Sequence, residues 1–349
     1  MEANRIRGVL APVVTPFKED LSPDPERLIG HCNWLLSQNC GLAVFGTNSE
    51  ANSMAAEERM KLLDALIAAG IDPARMMPGT GCCSISETAE LTAHAVNHGC
   101  AGVLMLPPFY YKNVSEEGLY RYFSEVVQRV GDKRLRIYFY HIPPVAVVGI
   151  TPKLVERLLK AYPTAIAGMK DSSGDWNNTK TFLDAFAVQN RPSASDFDLF
   201  VGSESFLLAN MRAGGVGTIS ATANVNPAAI HELYAEYNRQ SCSGVCVKRR
   251  ANRKAVDKIA GPARITSTTD LTTLQARLNV VREVFARKSW PSMIAALKQA
   301  IAIYGNDPQW ARVRPPLVEL TTEQARKLVA ELEAIGFAMR NRRVEGLKR

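Results

Sequence analysis

The chain has 349 residues, 46% hydrophobic and 22% charged, ample for one large globular unit with an appendage. Its formal charge of +8 is concentrated in residues 239–270, with a net +6, and residues 339–349, with a net +4, so the remaining body carries −2. That body lacks the positive excess a nucleic-acid binder needs, and no apolar run reaches the 18 residues of a membrane span.

In chain order, the segment Gly8–Phe17 reads as a first strand and Pro25–Ser37 as a helix with one apolar face. Strand-like runs follow at Gly41–Gly46, Met76–Gly81, Ala101–Leu106, Leu135–Tyr140, Ala165–Lys170, Phe197–Gly202 and Gly215–Ser220. Helical patterns alternate with them at Ala55–Ala69, Ser84–His98, Ser115–Val130, Pro152–Ala161, Trp176–Ala187, Ser205–Arg212 and Pro227–Tyr237. Eight strand–helix alternations predict a parallel α/β fold, and eight is the number that closes a (β/α)8 TIM barrel. A dinucleotide fold would carry a Gly-rich loop after its first strand, where this chain has Thr15-Pro16-Phe17.

Residues 239–270 interrupt the pattern. They are basic, contain Gly and Ser, and show neither helical nor strand period, so an exposed insertion is expected between a barrel over 1–238 and a helical region over 271–349. Cys242 and Cys246 have no second ligand pair nearby, which argues against zinc. Leu271–Tyr304 and Thr322–Gly336 read as amphipathic helices, the second capped by Thr321-Thr-Glu-Gln324, and the tail 340–349 as frayed. Seven cysteines without framework spacing, and an amino terminus without a secretion-signal core, fit reduced thiols in a cytoplasmic protein.

The stretch Ala165-Ile-Ala-Gly-Met-Lys-Asp-Ser-Ser-Gly-Asp175 is a short apolar run ending in Lys170, followed by helix-capping residues. A charged ammonium is costly in such a setting, and the neutral amine is the form that attacks a ketone. The plainer reading is a lysine that snorkels from a strand end to water. Barrel chemistry, however, sits at the carboxyl ends of the strands. Those ends carry Gly46-Thr-Asn-Ser-Glu50, Pro107-Pro-Phe-Tyr-Tyr111, Tyr140-His-Ile-Pro143, Lys170, Gly202-Ser-Glu204 and Ile219-Ser-Ala-Thr222. Hydroxyls gathered around one amine, with no metal-ligand group and no phosphate loop, suit carbonyl chemistry through an imine.

With these motifs in this order, the sequence resembles the dihydrodipicolinate synthase / N-acetylneuraminate lyase family of pyruvate-dependent class I aldolases, over about Gly8–Tyr237 and again over Leu271–Phe337. The resemblance implies that Lys170 forms the imine with pyruvate or another 2-oxo acid and that Tyr140 donates and accepts the proton at the reacting oxygen. It implies that Thr47 relays that proton and that Tyr111 completes the relay from a neighbouring subunit. The backbone N–H groups of Thr47 and Asn48 would hold the pyruvate carboxylate, and Gly202 and Ile219 would line the imine pocket. No cofactor and no metal is implied; the partners are a 2-oxo acid and an aldehyde, in a homo-oligomer of two or four chains. Taken alone, Tyr140 is more often a core residue and Tyr110 and Tyr111 are as often interface packing, while Glu50 reads as a buried structural carboxylate rather than a catalytic one and His141 as a packed neighbour of Tyr140 rather than a base.

The departures bear on the substrate. Dihydrodipicolinate synthases usually carry an arginine just after the Tyr-Asn-x-Pro segment, for the carboxylate of the second substrate. This chain reads Pro143-Pro-Val-Ala-Val-Val-Gly149, and valine cannot replace a guanidinium fork. Ala56-Glu-Glu-Arg59 stands where histidines bind feedback lysine in that enzyme, and Ser49 stands where the carboxylate loop usually has glycine. Asn48, Gly168-Met-Lys-Asp171 and Arg314-Pro-Pro-Leu-Val-Glu-Leu320 look more like 4-hydroxy-2-oxoglutarate aldolases. The expected function is therefore a lyase cleaving or forming a 4-hydroxy-2-oxo acid. The rivals are 4-hydroxy-tetrahydrodipicolinate synthase and a non-catalytic barrel that binds a 2-oxo acid.

Overall fold

The computed structural model describes residues 5–186, 197–251 and 270–339, with the side chains of 242–251 left out. The strands are β1 Gly8–Ala11, β2 Gly41–Leu42, β3 Val103–Met105, β4 Ile137–His141, β5 Ile166–Asp171, β6 Asp198–Val201 and β7 Gly217–Ile219. They form one parallel sheet in the order β2-β1-β7-β6-β5-β4-β3. The helices are α1 Pro25–Ser37, α2 Ala56–Ala68, α3 Ile85–Asn97, α4 Glu116–Val130, α5 Pro143–Ala146, α6 Pro152–Ala161, α7 Trp176–Phe186, α8 Leu207–Arg212, α9 Pro227–Ala251, α10 Leu271–Phe285, α11 Met293–Tyr304 and α12 Thr322–Ala334.

Seven strands stand where the sequence predicts eight. The missing one, around Met76–Gly81, is extended and bonded on both sides. Met77 N and Gly79 N donate to Leu42 O and Val44 O at 2.8 and 2.7 Å, and Thr80 N donates to Leu104 O at 3.0 Å. It makes only isolated bridges, Leu42 to Met76 and Gly79 to Leu104. The cause is Pro78, which has no N–H to give β3 at the position where a strand would donate. Both edges of the sheet, β2 and β3, thus meet the same segment, and the sheet curls.

Local chemistry explains the helix boundaries. Asp24, Ser84, Ser115, Thr151, Ser292 and Thr321 each accept an amide in the first turn of the helix that follows, and Pro25 and Pro152 occupy first helical positions. The reciprocal Thr321–Gln324 cap is present as predicted. The long helix expected over Leu271–Tyr304 is two helices, because Pro291 cannot continue one. The short α5 was not expected. The helix predicted to end at Tyr237 continues to Ala251, since extending a nucleated helix through Arg, Gln, Val and Lys adds one bond per residue fixed. The first part of the 239–270 segment is therefore helical rather than loop. Residues 252–269 and 340–349 lie outside the described residues.

Three apolar clusters divide the molecule. One lies inside the curled sheet and includes Leu10, Met77, Leu104, Tyr138, Tyr140, Phe200 and Ile219. A larger one fills the space between strands and surrounding helices. The third is built by α10, α11 and α12 and reaches the sheet's carboxyl end through Val14 and Ala221. The register decides what faces inward. A shift between Ile137 and Tyr138 sets Tyr138 opposite Gly168 and Tyr140 opposite Lys170. Gly168 is obligatory here, because a Cβ would collide with the Asp198 carbonyl and the Tyr138 ring.

Candidate active site

Lys170, near the carboxyl end of β5, is 3% exposed, and its Nζ lies 4.1 Å from the centroid of the Tyr140 ring. The Tyr140 hydroxyl, on β4, is 3.3 Å from Thr47 Oγ1. Thr47 opens a single 3₁₀ turn, Thr47–Ser49, whose first N–H groups have no acceptor within the turn. These residues line a cavity of about 190 Å³ together with Asn48, Ile142, Asp171, Ser172, Ser203, Phe206, Gly202, Ile219, Arg282 and Met293. Six of the seven residues picked from the sequence, Lys170, Tyr140, Thr47, Asn48, Gly202 and Ile219, thus meet in one place.

Tyr111 does not join them within one chain. Tyr110 and Tyr111 project from the loop after β3, each 73% exposed, with their rings edge to face at 5.3 Å. Gly202 is fitted closely: a Cβ there would overlap the Ser172 side chain. His141 is buried, and its Nδ1 accepts the Ile150 amide at 3.0 Å, so the ring is held as a neutral acceptor. Burial pushes its pKa below the ordinary value, partly offset by the Asp171 charge. Asp171 in turn accepts from Ser173 N and Oγ, Asn178 Nδ2 and Thr179 Oγ1. The cap of α7 is Asp175, whose Oδ1 accepts from Asn177 N at 2.9 Å.

The loop carrying Thr47 and Asn48 is anchored from below. Glu50 sits in the left-handed region at φ 57° and is buried. Its Oε1 accepts from Lys298 Nζ at 2.7 Å, with both side chains 0% exposed. Its Oε2 accepts from Arg314 N at 2.7 Å. Burial pushes the Lys298 ammonium down to about 8, against the pull of Glu50. Lys298 Nζ and Arg314 Cζ both approach the Phe17 ring, at 4.5 and 4.8 Å from its centroid. Ser49, where glycine was the expected residue, faces the packed interior: its hydroxyl donates to Val13 O and accepts from Gly46 N at 3.2 Å. It braces the loop rather than narrowing the cavity, and the left-handed positions fall on Phe45 and Glu50.

Sequence reasoning missed the contribution of the carboxyl-terminal helices. Arg282 on α10 and Met293 at the start of α11 both line the cavity. Arg282 NH1 donates to Glu204 Oε2 at 3.1 Å and to Ser220 Oγ at 3.3 Å. Glu204 also accepts from the Ser220 and Thr222 hydroxyls and is 1% exposed, so both its oxygens are held by donors of the protein. An arginine on an amphipathic helix gives no sequence signal that its face meets a distant strand end.

Among the described residues one group has the make-up of a metal site. His94 on α3 and His98 just past its end both approach Asp64 Oδ1 of α2, at 2.9 and 2.7 Å, and none of the three lines the cavity. No helix among the described residues is long and apolar enough to cross a membrane. Cys32, Cys40, Cys82, Cys83 and Cys100 are free thiols, and burial pushes Cys40 up to about 12.

The model of the dihydrodipicolinate synthetase family matches residues 5–260. A DapA-like lyase of Chloroflexus aurantiacus is 28% identical over 331 residues, 94% of this chain and 97% of that one. The 4-hydroxy-tetrahydrodipicolinate synthase of Thermus thermophilus is 37% identical over 224 residues, 63% of this chain and 70% of that one. The crystal structure of dihydrodipicolinate synthase from Agrobacterium tumefaciens superposes with a TM-score of 0.74 at 30% identity, covering 95% of this chain and 99% of that one.

Proposed function

Because the chain belongs to the dihydrodipicolinate synthetase family and is a lyase, we propose that it is a class I aldolase that cleaves or forms a 4-hydroxy-2-oxo acid through an imine on Lys170. The observation that carries this reading is the buried Lys170 amine packed on the Tyr140 ring, whose hydroxyl reaches Thr47. The same reading takes the curled sheet, with segment 76–80 as its eighth member, for a (β/α)8 barrel. It takes the working protein for a cytoplasmic dimer or tetramer, and the segment 239–270 for an insertion between barrel and helical layer.

In the cleavage direction Lys170 Nζ adds to the C2 carbonyl of the substrate. Tyr140 delivers a proton to the carbinolamine oxygen, water departs, and a protonated imine remains. Having given up that proton, Tyr140 is left as the phenolate, which the hydroxyls of Thr47 and of Tyr111 from a second copy stabilise by donating hydrogen bonds. Tyr140, as phenolate, takes the proton of the C4 hydroxyl while the C3–C4 bond breaks. Its electron pair flows into the imine to give an enamine, and the aldehyde leaves. Protonation at C3 and hydrolysis by water release pyruvate and restore the amine. The N–H groups of Thr47 and Asn48 hold the C1 carboxylate throughout.

The synthase reading shares every step up to the imine and differs in the second substrate. The valine-rich run at Pro143–Gly149, with Val145 and Val147 exposed and no guanidinium on it, favours the aldolase. Intact Lys170, Tyr140, Thr47 and Tyr111 weigh against a non-catalytic barrel. A screen of 4-hydroxy-2-oxo acids for pyruvate release is the test. Turnover of one or more is expected. No turnover alongside efficient condensation of pyruvate with aspartate semialdehyde would replace the aldolase reading by the synthase.

A further inference from the structure

We propose that Arg282 is the specificity residue of this site, receiving a carboxylate at the end of the substrate remote from the 2-oxo group, so that the substrate is a short 2-oxo dicarboxylate. This rests on the imine reading of Lys170 and adds the class of the aldehyde half, which is then itself an oxo acid.

A guanidinium carries five N–H donors in a planar fork. In Arg282 only NH1 is engaged, with Glu204 and Ser220, and among the described residues the Nε and NH2 edge meets no protein acceptor. The side chain is 20% exposed and lines the same cavity as Lys170. Glu204 clamps one edge of the fork, which fixes its orientation and leaves the other edge open. A free Nε–NH2 edge matches the two oxygens of a carboxylate, the geometry that distinguishes arginine from lysine.

Two hydroxyl residues lining the same cavity support the assignment. Ser172 Oγ has no partner among the described residues, and Ser203 Oγ accepts from Ser205 N at 3.2 Å, which leaves its proton to donate. Both can donate to an anion. The guanidinium absent from the Pro143–Gly149 run is thereby supplied from a different element, the first helix of the carboxyl-terminal layer. The cavity, about 190 Å³, lies below the ~300 Å³ at which pockets for drug-sized ligands begin, which confines the substrate to a short chain.

The test compares pyruvate release from 4-hydroxy-2-oxoglutarate and from 4-hydroxy-2-oxopentanoate, which carries methyl in place of the remote carboxylate. The wild type is expected to favour the dicarboxylate at least tenfold in kcat/KM. In Arg282→Gln that ratio should fall tenfold or more, mostly through KM. Arg282→Lys keeps a cation beside Glu204 and therefore the local fold, and it should lose part of the preference, because an ammonium cannot make the paired contact. An unchanged ratio in both variants, or a wild type indifferent to the carboxylate, overturns the proposal. Borohydride trapping of pyruvate is read on the same preparations. Absence of trapping in the wild type refutes the imine reading, whereas intact trapping with an unchanged ratio refutes the role of Arg282 alone.

Discussion

Lys298→Met tests how firmly the loop that carries Thr47 and Asn48 depends on the carboxyl-terminal layer. Methionine keeps most of the stem volume and removes the ammonium. Glu50 would retain a single donor, Arg314 N, for a carboxylate whose side chain is 0% exposed. Removing one partner of a buried ion pair costs about 3–5 kcal/mol, mainly because the other charge is left uncompensated. With a urea dependence near the upper end of ~1–3 kcal/mol per M, the midpoint should fall by about 1–2 M. The double variant Glu50→Gln/Lys298→Met removes both charges and should recover more than half of that loss. Urea titration followed by circular dichroism reads both numbers, and pyruvate trapping in the folded baseline reads the loop. A single-variant loss under ~1 kcal/mol, the range of an exposed pair, or a double variant no better than the single one, would show that the pair does not hold the loop.

Three further outcomes are expected. Borohydride with pyruvate should leave one adduct, on Lys170, and Lys170→Arg should abolish it; mass spectrometry that finds the adduct on another lysine refutes the imine assignment. Tyr140→Phe should lower turnover by roughly 10²–10⁴-fold, the usual worth of a placed acid–base group, while trapping persists more slowly; near-normal turnover would reduce Tyr140 to packing. His141 has a folded pKa held below its unfolded value near ~6.5, so the unfolded chain takes up its proton first and stability falls as pH drops below about 6.5. Thermal melts between pH 8 and 5.5 should show that slope, and His141→Asn, which keeps an acceptor for Ile150 N, should flatten it; an equal slope in the variant sinks the assignment.

Much of this arrangement can be read from the residues in order. Apolar runs separated by helical periods give the parallel sheet, and collecting the strand ends gives the stretches that hold Lys170, Tyr140, Thr47, Asn48, Gly202 and Ile219, which the family resemblance then singles out. That works because the carboxyl-end rule turns a linear list into a spatial one. It fails where placement depends on tertiary packing. Pro78 reduces a predicted strand to isolated bridges because a single missing N–H breaks the ladder. Ser49 departs from the usual glycine, and what its hydroxyl does there, binding the loop to Val13, depends on a partner 36 residues away. Arg282 and Lys298 are invisible as site residues, since helical period says which face is buried but not what it is buried against. Tyr111, 73% exposed on the loop after β3, remains apart from Tyr140 in a single chain, and nothing in its own sequence places it beside the site.

The pair between Glu50 and Lys298 spans 248 residues of sequence. On a ribosome adding about 5–20 residues per second, roughly 12–50 s separate the emergence of the two partners. During that interval the strands of the sheet can already pair, yet the loop that carries Thr47 and Asn48 holds an acid without its base. The anchor of that loop, and the part of the cavity wall supplied by Arg282 and Met293, are therefore completed only when the residues from Arg282 onward arrive. Chain truncations and translational pauses beyond residue 251 would act on activity long before they act on secondary structure.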